Sequence, residues 1–171
     1  MRTIGVISDT HGQLRPEAEE ALRGSDLILH AGDVGDAAVL EALERIAPVF
    51  AVHGNTDHGA LRAALPRSVV VDLGAADGRI TDGRGAPAPK GPLAYVHHGD
   101  RELELDPEAA GLALLVSGHT HKPLNERWGR VLYLNPGSAG PKRFDLPVTV
   151  AKVQVGEDGE VRAEILEILH D

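Results

Sequence analysis

The stretch RTIGVISDTHG, residues 2–12, decides how the chain is read: an apolar run passes directly into a carboxylate and an imidazole two positions apart beside a glycine. RTIGVIS reads as a buried strand. A helix follows near Pro16 to Arg23, then DLILH, a helix near Ala37 to Ile46, and PVFAVHG. Short apolar runs bounded by glycine and separated by helical segments are the signature of parallel strands buried on both faces. The chain therefore opens as a doubly wound α/β unit.

Beyond a short helix near Ala60 to Leu65 come VVVDL and a segment crowded with Gly and Pro, residues 74–92, which reads as a loop or irregular hairpin. The rest reads as strands: LAYVHH, LALLVS, RVLYL, PVTVAKVQV and EVRAEILEI, the last two joined by the hairpin signal GEDG. These predict a second, mainly antiparallel sheet. No repeat or low-complexity tract divides the chain, so residues 1–171 form one expected domain.

Composition narrows the function. A net charge of -9 and 3% aromatic residues argue against a groove for nucleic acid, which needs basic side chains and stacking platforms. With no cysteine, disulfides, thiolate nucleophiles and zinc-thiolate sites are excluded, and a reducing cytoplasm is the expected setting. The N-terminal apolar run is too short for a signal segment or membrane span. No G-x-x-x-x-G-K-[ST] or G-x-S-x-G motif is present.

Four further strand ends share the pattern of the first: HAGD (30–33), HGNTD (53–57), HHGD (97–100) and GHTH (118–121). Each sets a ligand-type side chain beside a glycine, and the carboxyl ends of parallel strands form the usual ligand crevice. Asp9 and His11, at i and i+2, would face the same way in an extended segment. His119 and His121 share that spacing and can serve two ions. Carboxylate, imidazole and amide oxygen, with no sulfur, suit Mn, Fe, Zn, Co or Ni better than copper(I) or an iron–sulfur cluster, and Mn is the expected occupant. Asp33 is the natural carboxylate to bridge two cations about 3.5–4 Å apart, a spacing that clamps the attacking and leaving oxygens at phosphorus. Two divalent ions with Asp9 and Asp33 leave a formal +2, or +1 with a hydroxide, which matches a monoanionic diester and leaves monoesters open.

Structural roles compete at several positions. Asp9 also suits a helix cap or turn, and Asn55 and Asp57 suit turns. His30 and His53 read as satisfied interior histidines, and His58 and His170 as surface residues. Neighbouring strand residues face opposite ways, so His97 and His98 compete for one role, His98 being favoured. NPGS, residues 135–138, is a turn whose backbone can wall the site. Lys142 and Arg143 are either solvated surface or neighbours of a bound anion.

Taken in order, Asp9 and His11, Gly32-Asp33, Gly54-Asn55, His98-Gly99 and Gly118-His119-x-His121 resemble the motif series of the calcineurin-like metallophosphoesterases. The match is to their small bacterial and archaeal phosphodiesterase branch, over residues 1 to about 143. This resemblance implies an α+β fold, a four-layer α/β/β/α sandwich of two mixed β-sheets with helices outside and a dinuclear metal site at the sheet edge. By position, Asp9, His11, Asp33 and His121 would hold one metal, and Asp33, Asn55, His98 and His119 the other. Asp33, Asn55, His98 and His119 would serve catalysis. Two departures stand out: Thr56 follows Gly-Asn where many relatives have a histidine that protonates the leaving group, and Asp100 stands where the branch often has another histidine. Metals, water or Asp57 are left to carry the leaving-group charge.

The expected protein is thus a metal-dependent phosphodiesterase. It would act on a small phosphate ester through in-line attack by a metal-bridging hydroxide, with no extended nucleic-acid surface, no membrane partner and homo-oligomerisation open. The alternative is a non-catalytic metal-binding scaffold like the related retromer subunit, which departs from the full histidine set retained here.

Overall fold

Among the described residues, ten strands and three helices follow the order β1 (Arg2–Ile7), α1 (Pro16–Leu22), β2 (Leu27–His30), α2 (Ala37–Glu44), β3 (Val49–Ala51), α3 (Gly59–Ala64), β4 (Ser68–Asp72), β5 (Leu93–His97), β6 (Leu112–Val116), β7 (Leu124–Trp128), β8 (Val131–Asn135), β9 (Val148–Val155) and β10 (Val161–Leu169) in a computed structural model. It describes residues 1–80, 89–143 and 145–169. Of the expected loop at 74–92, residues 81–88 therefore lie outside the described residues, as does His170.

The strands form two five-stranded sheets, ordered β10-β9-β1-β2-β3 and β4-β5-β6-β8-β7. In the first, β1, β2 and β3 run parallel, and the hairpin β9–β10 adds two antiparallel pairings. In the second, β5, β6 and β8 run parallel while β4 and β7 close the edges antiparallel. Both sheets are mixed. The mainly antiparallel second sheet read from the strand runs is corrected here: the GEDG hairpin joins the first sheet, and β5, β6 and β8 are parallel neighbours.

Alternation along the strands builds the layers. Ile4, Val6, Leu27 and Leu29 meet Val71, Ala94, Val96, Leu114, Val116 and Leu134 between the sheets. The opposite face, through Ile7 and Ile28, packs on Ala18 and Leu22 of α1 and Val39 and Leu43 of α2. Those pairs stand four residues apart, one helical turn. Pro16 at the first turn of α1 and the Asp36 side chain, accepting from Ala38 N–H at 2.9 Å, start the two helices. The outer face of the second sheet is covered by Leu103 and Leu105 over Leu93, Leu112, Leu115 and Tyr133. Residues 99–111 that supply them contain no helix, so this outer layer is loop where the first sheet's is helical.

β7 was not legible in the sequence because four of its five residues are exposed. It shields an edge: Asn125 donates to the Ala163 carbonyl at 2.9 Å and Arg127 to that of Val161, occupying acceptors on β10. Among the described residues no helix is long and apolar enough to cross a membrane.

The parallel runs aim their carboxyl ends at one edge of the molecule. Asp9, Asp33 and Asn55 follow β1, β2 and β3, whereas His98, His119 and His121 follow β5 and β6. Gly118 N–H donates to the His98 carbonyl at 2.9 Å and His119 N–H to Asp9 Oδ2 at 3.1 Å, so the loops of the two sheets are joined at that edge.

Candidate metal centre

Among the described residues only five that are not glycine have positive φ: Asp9 (56°), His11 (47°), Asp33 (54°), His119 (71°) and His121 (63°). All five are candidate ligands. A left-handed residue with a Cβ costs roughly 1–2 kcal/mol, less for Asp than for bulky side chains, so the strain of this fold is concentrated at one place. Asp9 and His11 are thus not the extended pair inferred from their spacing. Their backbone turns, and the turn converges the side chains. The neighbouring glycines serve close approach: a Cβ on Gly54 would lie 2.1 Å from Asp33 Oδ1, and one on Gly118 would lie 2.1 Å from Ser8 Oγ.

All seven candidates are linked by short contacts. His121 Nε2 lies 3.4 Å and His11 Nε2 3.9 Å from Asp9 Oδ1, and the two ring nitrogens are 3.4 Å apart. His11 Nε2 lies 3.8 Å and His98 Nε2 3.2 Å from Asp33 Oδ2. Asn55 Oδ1 lies 2.9 Å from His98 Nε2 and 3.2 Å from His119 Nδ1. Ligand atoms of Asp9, His11 and His121 fall within 4.8 Å of one another, and so do those of Asp9, Asp33 and His98.

These atoms fit divalent cations. Asp9 Oδ1 is buried with no hydrogen-bond partner, although Oδ2 accepts from Ser8 Oγ at 2.6 Å. A lone buried carboxylate oxygen is costly unless a charge answers it. His98 Nδ1 lies 2.8 Å from the Ala31 carbonyl and can only donate to it, which in the neutral ring leaves the Nε2 lone pair facing Asp33 and Asn55. Lone pairs turned toward one another are stable around cations.

Both carboxylates are held ionised. Burial opposes charge on Asp33, yet His98 and the Thr56 N–H, at 2.9 Å from Oδ1, hold its carboxyl far below the ordinary range. Burial likewise opposes the Asp9 charge, and the neighbouring His121 ring and the Ser8 hydroxyl override it. In His98, burial is outweighed by Asp33 and the Ala31 carbonyl, and its pKa is raised. Burial lowers that of His11, and Arg143 pushes the same way. Arg143, on the segment after NPGS, therefore acts on the site electrostatically.

The remaining candidates fall where structural roles assign them. His30 is fully buried: its Nδ1 accepts from Gly32 N–H at 3.1 Å, so Nε2–H donates to Thr10 Oγ1 at 3.0 Å, which donates to the Val34 carbonyl. It is the satisfied interior histidine expected, and it ties the Asp9 turn to the Asp33 turn. Asp57 accepts from Val34, Gly35 and Gly54 N–H at 2.9–3.1 Å. Its oxygens tie the Asp33 and Asn55 loops together. Asn135 donates to the Gly118 carbonyl at 3.0 Å and Ser138 to that of Asp9 at 3.0 Å, so NPGS walls the site. His97 faces away, its ring 5.6 Å from Tyr95. Nothing in the sequence marks Ser8, Thr10 or the Ala31 carbonyl beyond their nearness to the motifs.

Burial holds the His30 imidazole down at about 4, against an ordinary 6.5. The unfolded chain therefore takes this proton first, and stability present above pH 6.5 falls as pH drops toward 4, by about 3 kcal/mol. Urea unfolding of metal-free protein across this window checks it: His30→Gln should remove about one proton from the slope.

The sequence profile of the calcineurin-like phosphoesterase superfamily domain matches residues 1–158. The chain belongs to that superfamily. A probable metallophosphoesterase of Methanothermobacter thermautotrophicus is 37% identical over 171 residues, covering 95% of this chain and 91% of the relative. Two solved structures share the fold. One, described as a novel archaeal phosphodiesterase, has a TM-score of 0.70 at 23% identity, covering 96% of this chain and 99% of that one. The other, Vps29 of Entamoeba histolytica complexed with zinc, has a TM-score of 0.68 at 18% identity, covering 98% and 99%. Calcineurin-like phosphoesterases use divalent metal ions, and Asp9, His11 and His121, and Asp9, Asp33 and His98, form groups here that could hold one.

Proposed function

We propose that this calcineurin-like phosphoesterase hydrolyses phosphodiesters at a pair of divalent cations, Mn foremost. One would be held by Asp9, His11, Asp33 and His121, the other by Asp33, Asn55, His98 and His119. The observation that carries this reading is the convergence of Asp9, His11, Asp33, His98 and His121 at a buried Asp9 Oδ1 that has no hydrogen-bond partner among the described residues, with Asn55 against His98 and His119. When bound, such cations supply a nucleophile from water near neutral pH and offset charge building on the phosphoryl oxygens.

The chain's own residues fill distinct parts. Buried Asp9 and His121 form the floor, with Asp33 between the two halves, while exposed Asn55 and His119 sit at the mouth, where a phosphoryl oxygen arrives. Ala31 fixes the His98 ring, Thr56 N–H fixes the Asp33 carboxylate, and Asp57 holds both loops, so little rearrangement is needed as substrate binds. Only two carboxylates face the cations, which leaves the site positive in an acidic chain and suits one negative charge on the substrate. The cysteine-free sequence fits a reducing cytoplasm.

A non-catalytic interaction module has the fold likeness to Vps29 in its favour. Against it stands a competent side chain at every expected ligand position. With Mn present, methyl p-nitrophenyl phosphate should turn over at least about tenfold faster than the monoester p-nitrophenyl phosphate, and a chelator should abolish both reactions. Faster monoester cleavage would overturn the diesterase reading. Saturable Mn binding without cleavage of either ester would favour the interaction module.

A further inference from the structure

β10 is an edge strand of the first sheet, and only part of that edge is covered. The Val161 and Ala163 carbonyls accept from Arg127 and Asn125 of β7, so the odd-numbered residues of β10 turn their backbone groups away from β9. Ile165 and Glu167 continue that alternation, and among the described residues nothing pairs with their outward N–H and C=O groups. Free amides and carbonyls on an edge are a template for a further strand. Beside this stretch α1 packs over β9 and β10 and leaves a groove of about 680 Å³. Its floor is apolar: Ala21, Leu166 and Ile168 line it, partly buried against the layer between helices and sheet. Its rim is acidic. Glu17, Glu19, Glu20 and Glu167 line it, and Arg23, the one cation among the described lining residues, is already paired with Glu20 at 2.8 Å. None of these residues belongs to the metal-ligand set.

We propose that the β10 edge and this groove bind an extended, basic segment of a partner protein, which joins the first sheet as an added strand with apolar residues at every second position. Pairing with the Ile165 and Glu167 backbone supplies the hydrogen bonds, and the groove supplies the selection. Side chains along a strand point to alternate faces, so one set meets Leu166 and Ile168 under α1, while Lys or Arg between and beside them answer Glu17, Glu20 and Glu167. The charge of the rim decides the occupant. A second copy would bring the same carboxylates against one another, and phosphate-bearing ligands or anionic membranes are repelled by them.

The test adds fluorescein-labelled Lys-Val-Lys-Val-Lys-Val-Lys to the whole protein, with Lys-Gln-Lys-Gln-Lys-Gln-Lys as a control of equal charge. By fluorescence anisotropy the valine peptide should bind at least about tenfold more tightly than the glutamine peptide. Backbone hydrogen exchange should slow at the Ile165 and Glu167 amides when it binds. Glu17→Lys combined with Glu167→Lys should weaken its binding by at least about tenfold. Glu102→Lys combined with Glu104→Lys makes the same charge change on the exposed loop over the second sheet, and should alter binding by less than about twofold. Equal binding of the two peptides, unchanged exchange at Ile165 and Glu167, or equal losses in the two double variants would overturn the proposal. So would a dimer of this chain that slows exchange at the same amides without any peptide.

Discussion

Asp33→Ala is expected to lower kcat/KM for methyl p-nitrophenyl phosphate by on the order of 10³-fold or more. Asp33 Oδ2 is within 3.8 Å of His11 Nε2 and 3.2 Å of His98 Nε2, so its carboxylate touches both halves of the cluster. With the proposed pair of cations, its loss would remove half of the negative charge facing them and let them repel. Folding is a separate matter, and Asp33→Asn distinguishes the two. The amide keeps an oxygen for the Thr56 N–H, now at 2.9 Å from Oδ1, and closely preserves the shape packed against Gly54. It should fold as wild type does and be comparably inactive. Wild-type turnover in either variant would remove Asp33 from the chemistry.

Mn is expected to raise the thermal midpoint of metal-free protein by roughly 5–10 °C when present at a hundredfold excess over its Kd. Such an excess stabilises by about 2.7 kcal/mol for one site, and a domain of this size shifts by about 2–4 °C per kcal/mol. The physical source is visible in the fold. Five residues hold left-handed backbone, and Asp9 Oδ1 is buried without a partner. Cations relieve the electrostatic part of that burden and leave the backbone strain in place. In Asp33→Asn the shift should shrink to less than about 2 °C, because each half then lacks its shared carboxylate. Differential scanning calorimetry of chelator-treated protein, with Mn added back, checks both values.

The sequence exposed the site more fully than the fold around it. A ligand-type residue beside glycine at five strand ends is a pattern that survives without coordinates, because parallel strands deliver their carboxyl ends to one edge. Spacing could not reveal how the backbone achieves convergence. Asp9, His11, Asp33, His119 and His121 take up the left-handed turns themselves, and glycines such as Gly54 and Gly118 make room for neighbouring side chains. Asp57 had ligand chemistry in the right place, yet its oxygens are taken by three backbone N–H groups that only the folded loops bring together. β7 carried no apolar alternation because its role at the edge is polar, through Asn125 and Arg127. Sheet membership of β9 and β10 was also hidden: a hairpin signal tells that two strands pair, and nothing about which sheet they extend.

Anomalous diffraction from crystals grown with Mn tests the central claim most directly. The account predicts two Mn peaks about 3.5–4 Å apart with Asp33 between them, one also within bonding distance of Asp9, His11 and His121 and the other of Asn55, His98 and His119. A single peak, or a pair that leaves Asp33 unbound, would contradict it.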